Sequence, residues 1–477
     1  MFPIKKIICL FCLTVVFPSL KATEYPFHFY NTVYDENIKS LSLEVNNLPT
    51  NFPIIKLNSG DRMVLKFDDL LNEERIFYYR FIHCNMDWTP SPLREFDYLN
   101  GFNDERLRNF EYSVNTKIPY IHYWQEFPNR DSKFNVSGNY LIVIYEESIE
   151  NPILTRRFVV MEEKVKITPS FNQLRDVSNF LTHQDFQFNV SLNKLTYRDP
   201  QTELALVVLQ NENWDINNAD NPNFLSRTNA RFTKSKSFSF KGLSEFREFD
   251  TRGLLNVRRG IQRIERKKDK TEILLTHGSS RKNLPYLLKF DFNGKYFVGN
   301  IDALNIGSTT ISASDLTWST PDELTQERDS IVNYGRAGAK EFKFDIKNTN
   351  SDYVNVIFTL DIIPDLESDA EIFVLGSMND WEPREEFRMK LSENGKYLIT
   401  EAVLKQGYYN YYYGILKNDG NIDYATMEGS WNETENDYQA IAYFKGFGDI
   451  YDRVVGFTVF NTTVDASLKL SGSLFQD

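Results

Sequence analysis

Cysteine and histidine are scarce in this chain, and the scarcity closes several routes at once. It has three cysteines, Cys9, Cys12 and Cys84, and five histidines, His28, His83, His122, His183 and His277. Cys9 and Cys12 fall in an N-terminal apolar run, so a processed chain keeps only Cys84. One thiol makes no internal disulfide and no cysteine-based zinc site. No two histidines stand at metal-ligand spacing, so neither an HExxH helix nor a facial triad can be read. The G-x-S-x-G elbow and the G-x-x-x-x-G-K-[ST] loop are also missing. Paired carboxylates are too common in an acidic chain for any one pair to nominate a hydrolase. The pattern points to no enzyme, no cofactor and no metal.

Positive charge is short as well. Lys and Arg number 54 against 66 Asp and Glu, a net charge of −12. An acidic surface argues against nucleic acid as a partner, because neutralising phosphates requires a basic field. The exception is "RRGIQRIERKKDK" (258–270), with seven bases among thirteen residues. It reads as a solvated loop or edge, or else as a docking surface for an acidic partner or lipid headgroups. No long apolar run follows the N-terminus. Lys5 and Lys6 precede "IICLFCLTVVF" (7–17) and small residues such as Ala22 follow, the pattern of a secretory signal peptide over 1–22. The run is too short for a membrane span, and "LFC" ending at Cys12 is a poor lipobox. The expectation is an exported chain without a lipid anchor.

What is abundant is aromatic residue and alternation. Aromatics make up 15% of the chain, with 26 Tyr and 38 Phe, which exceeds what disorder allows and favours strands. "FQFNVSL" places Phe186, Phe188 and Val190 on one face, and "VNVIFTLD" does the same with Val354, Val356, Phe358 and Leu360. "NYLIVIY", "LALVVLQ" and "PYLLKFDF" are further strand candidates. Two "NGKY" segments, at 293–296 and 394–397, carry the Asn-Gly hairpin signal, in which both turn positions take positive φ. No segment has a long, capped helical pattern. The expected fold is all-β, as tandem antiparallel immunoglobulin-like β-sandwich domains: 23–162, 163–350 and 351–477. The breaks are set near "MEEKVKITPS" (161–170) and in the polar stretch 336–352. A transmembrane barrel also alternates, but uneven strand lengths and charged interruptions such as 258–270 disfavour it.

Two segments invite a chemical reading. "YYRFIHCNMDWTPSPL" brings His83, Cys84, Asn85, Asp87 and Trp88 together. That is either a metal site, or a nucleophile with its base, or the corner where a strand ends. Pro90 and Pro92 forbid a continuing ladder and favour the corner, with Asn85 and Asp87 bonding turn amides, Trp88 covering the sandwich end and His83 satisfying a local carbonyl. In the C-terminal third, "EIFVLGSMNDWEP" followed by "QGYYNYYYGIL" resembles carbohydrate-binding modules of the starch and glycogen type. Asn379, Asp380 and Trp381 match the turn of such modules, and Gly407, Tyr409 and Tyr411 match their strand. An indole can stack on a sugar, or it can pack the end of a sandwich; the motif fixes a fold better than a ligand.

A larger resemblance runs through the mature N-terminal half. "KFDDL", "YYRFIHCNMDWTPSPL", "EFDYLNGF", "YSVNTKIPYIHY", "EFPN", "SGNYLIVIY" and "RRFVV" follow one another as in the plug protein of the type IX secretion system, and "ENDYQAIAYFKGFGDIYDRVVGF" continues the likeness at 435–457. That resemblance implies a periplasmic protein that seals the inner mouth of an outer-membrane translocon barrel when cargo is not being exported. It brings no catalytic residues, and it marks no residue as the barrel contact. The alternative is a periplasmic or surface carbohydrate-binding protein using its C-terminal sandwich.

Overall fold

The computed structural model describes residues 25–46, 48–49, 51–171, 179–289, 291–302, 349–363, 366 and 370–463. The expected leader at 1–22 and most of the polar stretch 336–352 lie outside the described residues.

The chain first builds a two-sheet body from β1 (Ile38–Val45), β2 (Met63–Asp69), β3 (Phe77–Cys84), β4 (Asn109–Tyr112), β5 (Ile121–Phe127), β6 (Gly138–Glu146) and β7 (Pro152–Met161). One sheet runs β1-β2-β5-β4, and in the other β7, β6 and β3 are neighbours. Alternation along β3 explains the packing. Phe77, Tyr79 and Phe81 enter the core between the sheets with Phe67, Tyr123, Ile142 and Phe158. Ile82 and Cys84 face the other way and meet Leu141 and Val143 of β6 under Phe27 and Trp88. Both faces of β6 are therefore covered, which is why "NYLIVIY" reads as a continuous apolar run.

A second body begins with β8 (Lys166–Phe171), β9 (His183–Ser191), β10 (Leu204–Gln210), β11 (Asn213–Asp220) and β12 (Asn229–Phe232), and the chain leaves it unfinished. It then builds a third body from β13 (Arg247–Asp250), β14 (Ile261–Arg266), β15 (Thr271–Leu275), β16 (Tyr296–Val298), β17 (Tyr353–Leu360), β18 (Glu371–Leu375), β19 (Leu398–Lys405) and β20 (Gly407–Leu416). Finally it returns with β21 (Asp437–Phe444) and β22 (Arg453–Asn461), and β21 pairs with β10 from Leu204↔Phe444 to Gln210↔Tyr438. The second core accordingly mixes Phe186, Phe188, Leu206 and Val208 with Tyr438, Ala440 and Phe460.

The division expected at 350/351 is crossed by strand pairing in both bodies. β13 and β16 flank β20, and β15 pairs in parallel with β17. The reason lies in the faces. The apolar sides of β10 and β13 are covered in good part by strands beyond 351: Tyr438, Ala440 and Phe460 join the core of β10, and Val354, Val356 and Phe358 that of β13.

Two other expectations are corrected. "PYLLKFDF" forms no strand among the described residues: Leu287 is 78% exposed and Leu288 50%, while Phe292 at its end is buried against Tyr408 of β20. Of the two "NGKY" turns, the first has both residues left-handed (Asn293 φ 52°, Gly294 φ 85°) but joins no paired strands. The second does join paired strands, Leu391↔Leu398, with only Gly395 left-handed at φ 67°. Helical turns in the described residues span three or four residues, as the absence of a helical period predicts.

The bodies are fastened by buried contacts. Phe52, Val159 and Met161 of the first pack on Leu209, Ile441 and Val454 of the second. Tyr443 donates its hydroxyl to Asn139 Oδ1 at 2.8 Å, and Asp452 Oδ2 accepts the Met86 N–H at 2.9 Å. Asp68 of the first body pairs with Lys405 of the third at 2.6 Å.

Candidate functional site: a cleft where three bodies meet

The corner after β3 is built by backbone bonds. Thr89 O accepts the Asn85 N–H at 2.8 Å, Asn85 O accepts the Trp88 N–H at 3.0 Å, and Asp87 Oδ1 takes the Thr89 N–H at 3.0 Å. His83 is 1% exposed, and its two ring nitrogens lie 2.8 Å from Ser91 Oγ and 3.2 Å from Ser137 O. The nitrogen facing the Ser137 carbonyl carries the proton, and the other accepts from Ser91. Burial pushes the His83 ring down to about 4, against weaker upward pulls from Ser137 and Asp452. The satisfied carbonyl is therefore not local in sequence; it comes from Ser137, 54 residues on. Burial also drives the Cys84 thiol far up, and Cys84 Sγ lies 3.7 Å from its neighbour's carbonyl, Ile82 O. A thiol held protonated is no nucleophile. Asp87 is exposed and occupied by Thr89, so His83, Cys84 and Asp87 form no reacting set.

The turn at 376–384 is closed in the same manner. Asn379 is fully buried; its Oδ1 takes the Gly376 N–H at 3.0 Å and its Nδ2 donates to Val374 O at 2.8 Å. Asp380 pairs with Arg156 of the first body and, at 3.2 Å, with Arg384. Trp381 packs among Phe246, Phe373, Tyr412 and Tyr424. Tyr409 stacks between Phe249 (4.9 Å) and Tyr296 (5.4 Å), and Tyr411 lies in the same core, while Gly407 lets Phe297 O approach. The side chains that suggested a sugar site are core and joint residues.

Trp88 and Trp381 nevertheless share a setting that their sequence positions do not reveal. Each takes a left-handed backbone, φ 66° and 63°, rare for a bulky residue, and both line one cleft of about 1100 Å³ where the three bodies meet. Its walls include Leu41–Glu44 of β1, Arg156 and Arg157 of β7, residues of β11, the turn Asn293–Tyr296 and the turn Asp380–Arg384. Trp214 of β11 meets Trp88 edge to face at 5.0 Å, and the Arg157 guanidinium lies 4.5 Å above the Trp88 ring. Burial lowers the Arg157 pKa to about 10, with Asp215 pulling it back up. Burial pushes the carboxyls of Glu212, Asp215 and Glu382 up, opposed by Lys295, Arg157 and Arg384 respectively.

The sequence singles out Trp88, Asp380 and Trp381 for other reasons and misses Arg157, Trp214 and β11. No spacing connects them: "RRFVV" and "NWDINNAD" are distant in sequence, and in the fold the Arg157 guanidinium lies 5.9 Å from the Trp214 ring.

The basic stretch 258–270 is a hairpin edge. Arg258 pairs with Asp250 at 2.9 Å, Arg259 with Glu248 at 2.9 Å, and Lys267 and Lys270 with Glu272 at 2.6 and 2.7 Å. Its field is largely spent within the protein. Among the described residues, no three His, Cys, Asp or Glu side chains are grouped to hold a metal ion, and no helix is long and apolar enough to cross a membrane.

Comparison with known proteins gives two findings. Residues 38–162 match a family described as the type 9 secretion system plug protein 1st domain. The whole fold is similar to a crystal structure of a hypothetical protein from Parabacteroides merdae, with a TM-score of 0.78 and 24% identity over 91% of this chain and 100% of that one. This second likeness shows the fold alone. No curated protein matches the chain. Neither finding touches the carbohydrate-module likeness of the C-terminal third.

Proposed function

We propose, from the match of residues 38–162 to the type 9 secretion system plug protein 1st domain, that the chain is a periplasmic plug sealing the inner mouth of an outer-membrane translocon barrel between export events. The family match at 38–162 is the observation that carries this reading. Physical features support it. A seal must keep its shape against the pore, and here the first body is tied to both others by polar pairs: the buried Asp68 with Lys405 and Arg156 with Asp380, and the half-buried Met86 N–H with Asp452. The work is done by occupancy and not by chemistry, so the interface has to be stable. Such interfaces commonly bury ~1,200–2,000 Å² in total, and area alone does not set affinity.

The carbohydrate reading requires an open indole face. Trp381 is 8% exposed among aromatic neighbours, which argues for the plug instead.

The test is genetic and biochemical together. Deleting the gene should raise permeability to large antibiotics such as vancomycin only while the translocon barrel is present, and secretion should continue. The tagged protein should co-purify with a large barrel protein from detergent-solubilised outer membranes. A deletion strain as tight as its parent, with no barrel protein retained, would overturn the reading.

A further inference from the structure

β11 is the outer strand of the sheet β11-β10-β21-β22, so among the described residues one of its edges has no strand beside it. Beyond the ladder to β10, the Asp215 N–H is taken by Asn213 Oδ1 at 2.9 Å and the Trp214 carbonyl by Asn217 Nδ2 at 2.6 Å. Among the described residues, no other backbone partner outside that ladder serves 214–220. An open edge is a template for another chain, and proteins commonly shield such edges. This one is recessed: Trp214–Asn217 and Ala219 lie along the cleft, opposite Leu41–Glu44 and Trp88.

The cleft also carries unspent polar capacity. Arg156, Lys295 and Arg384 all line it, and each has a carboxylate within ion-pair distance. Arg157 has none among the described residues; only its Nε is engaged, donating to Phe29 O at 2.7 Å. The guanidinium fork above Trp88 is thus open to a planar acceptor, the geometry in which arginine binds a carboxylate best. Asn293 Oδ1, Ser377 Oγ and Arg156 Nε, on residues of the same walls, are buried without a hydrogen-bond partner.

We propose that the cleft receives an extended polypeptide segment, which adds as a strand to the free edge of β11 and seats one acidic side chain on Arg157 beside Trp88 and Trp214. Main-chain bonds supply affinity in this mode, and pockets for alternate side chains supply specificity. The half-buried Trp214 and Ile216 face one side of the added strand, while exposed Asn217 and Ala219 face the other. A strand matching the eight residues of β11 spans roughly 26 Å. The site is independent of the plug reading, since a chain that sealed no barrel would still offer this edge.

Amide hydrogen exchange on the full chain tests it. The probe is a capped eight-residue peptide alternating threonine and valine with one central glutamate. A lysine version and trigalacturonate, an acidic saccharide, serve as comparisons. The glutamate peptide should slow exchange along 214–220, and the lysine peptide should bind about tenfold more weakly, the loss of one charge-assisted contact. Arg157→Gln should erase that difference between the two peptides. Equal binding of both peptides to the native chain would remove the carboxylate seat. Amides of 214–220 that lie outside the β10 ladder and the Asn213–Asp215 bond decide the matter: their protection in the free chain, or their lack of protection at millimolar peptide, would overturn strand addition. Trigalacturonate binding at the tryptophans without amide protection would replace the peptide with a glycan.

Discussion

Asp68 and Lys405 are 337 residues apart in sequence, and their charged atoms are 2.6 Å apart in the fold with both side chains almost wholly out of water. The same carboxylate accepts from Tyr353 Oη at 2.6 Å and faces His122 Nδ1 at 2.6 Å, while the ammonium lies 4.2 Å above the Tyr120 ring. Burial pushes the Asp68 carboxyl up, but Lys405 and His122 outweigh it and hold the group below the usual carboxylate range. The joint between the first and third bodies is thus one buried polar knot centred on the Asp68 carboxylate. Removing a single partner leaves a buried charge uncompensated, which costs roughly 3–5 kcal/mol, whereas replacing both partners by apolar groups is often close to neutral. Lys405→Met is expected to lose stability on that scale, and Asp68→Leu combined with Lys405→Met to recover much of it. Urea denaturation of the two variants checks this; a double variant as unstable as the sum of its parts would remove the coupling.

The strands were legible because their alternation is local. Phe186, Phe188 and Val190 are all buried as the pattern requires, and so are Val354, Val356, Phe358 and Leu360. The pairing of those strands was not legible. Leu204 could face any long apolar strand by pattern alone, and its partner is Phe444, reached only after the whole third body has been built. "PYLLKFDF" misled because apolar content was read as a paired strand, whereas Leu287 and Leu288 are exposed and only its end, at Phe292, packs on β20. The corner at 84–92 could be read from Pro90 and Pro92. The cleft it borders could not, since Trp88, Arg157, Trp214 and Trp381 come from four separated segments.

His83 makes the fold sensitive to acid in a window that can be predicted. In the fold its pKa is about 4, below the ordinary 6.5, because burial disfavours the imidazolium. Between those values the unfolded chain binds a proton that the native chain does not, so stability falls as pH drops through that window. The full effect of this one group is about 3 kcal/mol at 1.36 kcal/mol per pKa unit. His83→Gln keeps a donor for the Ser137 carbonyl and has no proton to gain. The gap in unfolding free energy between native and variant protein should therefore narrow from pH 7 to pH 4.5. Denaturant titrations at both values check it; a constant gap would show that His83 does not titrate in this window.

Trp381 decides between a packing role and a sugar-binding role. Its ring lies 5.8 Å from Phe246 and 6.1 Å from Tyr424, and any side chain at Gly294 would collide with it. Trp381→Ala opens a cavity beneath the turn that holds Asp380 against Arg156. A large aromatic lost from such a site costs roughly 3–5 kcal/mol. The loss should appear as a lowered melting temperature, and Trp381→Phe should restore part of it, because a smaller ring still fills some of the space. Soluble α-glucans should leave the melting curve of the native protein unchanged, since the indole is only 8% exposed among its aromatic neighbours, too little for a sugar ring to stack on. A Trp381→Ala protein that melts like the native chain but loses a clear glucan-induced shift would reverse the assignment and make the turn a ligand site.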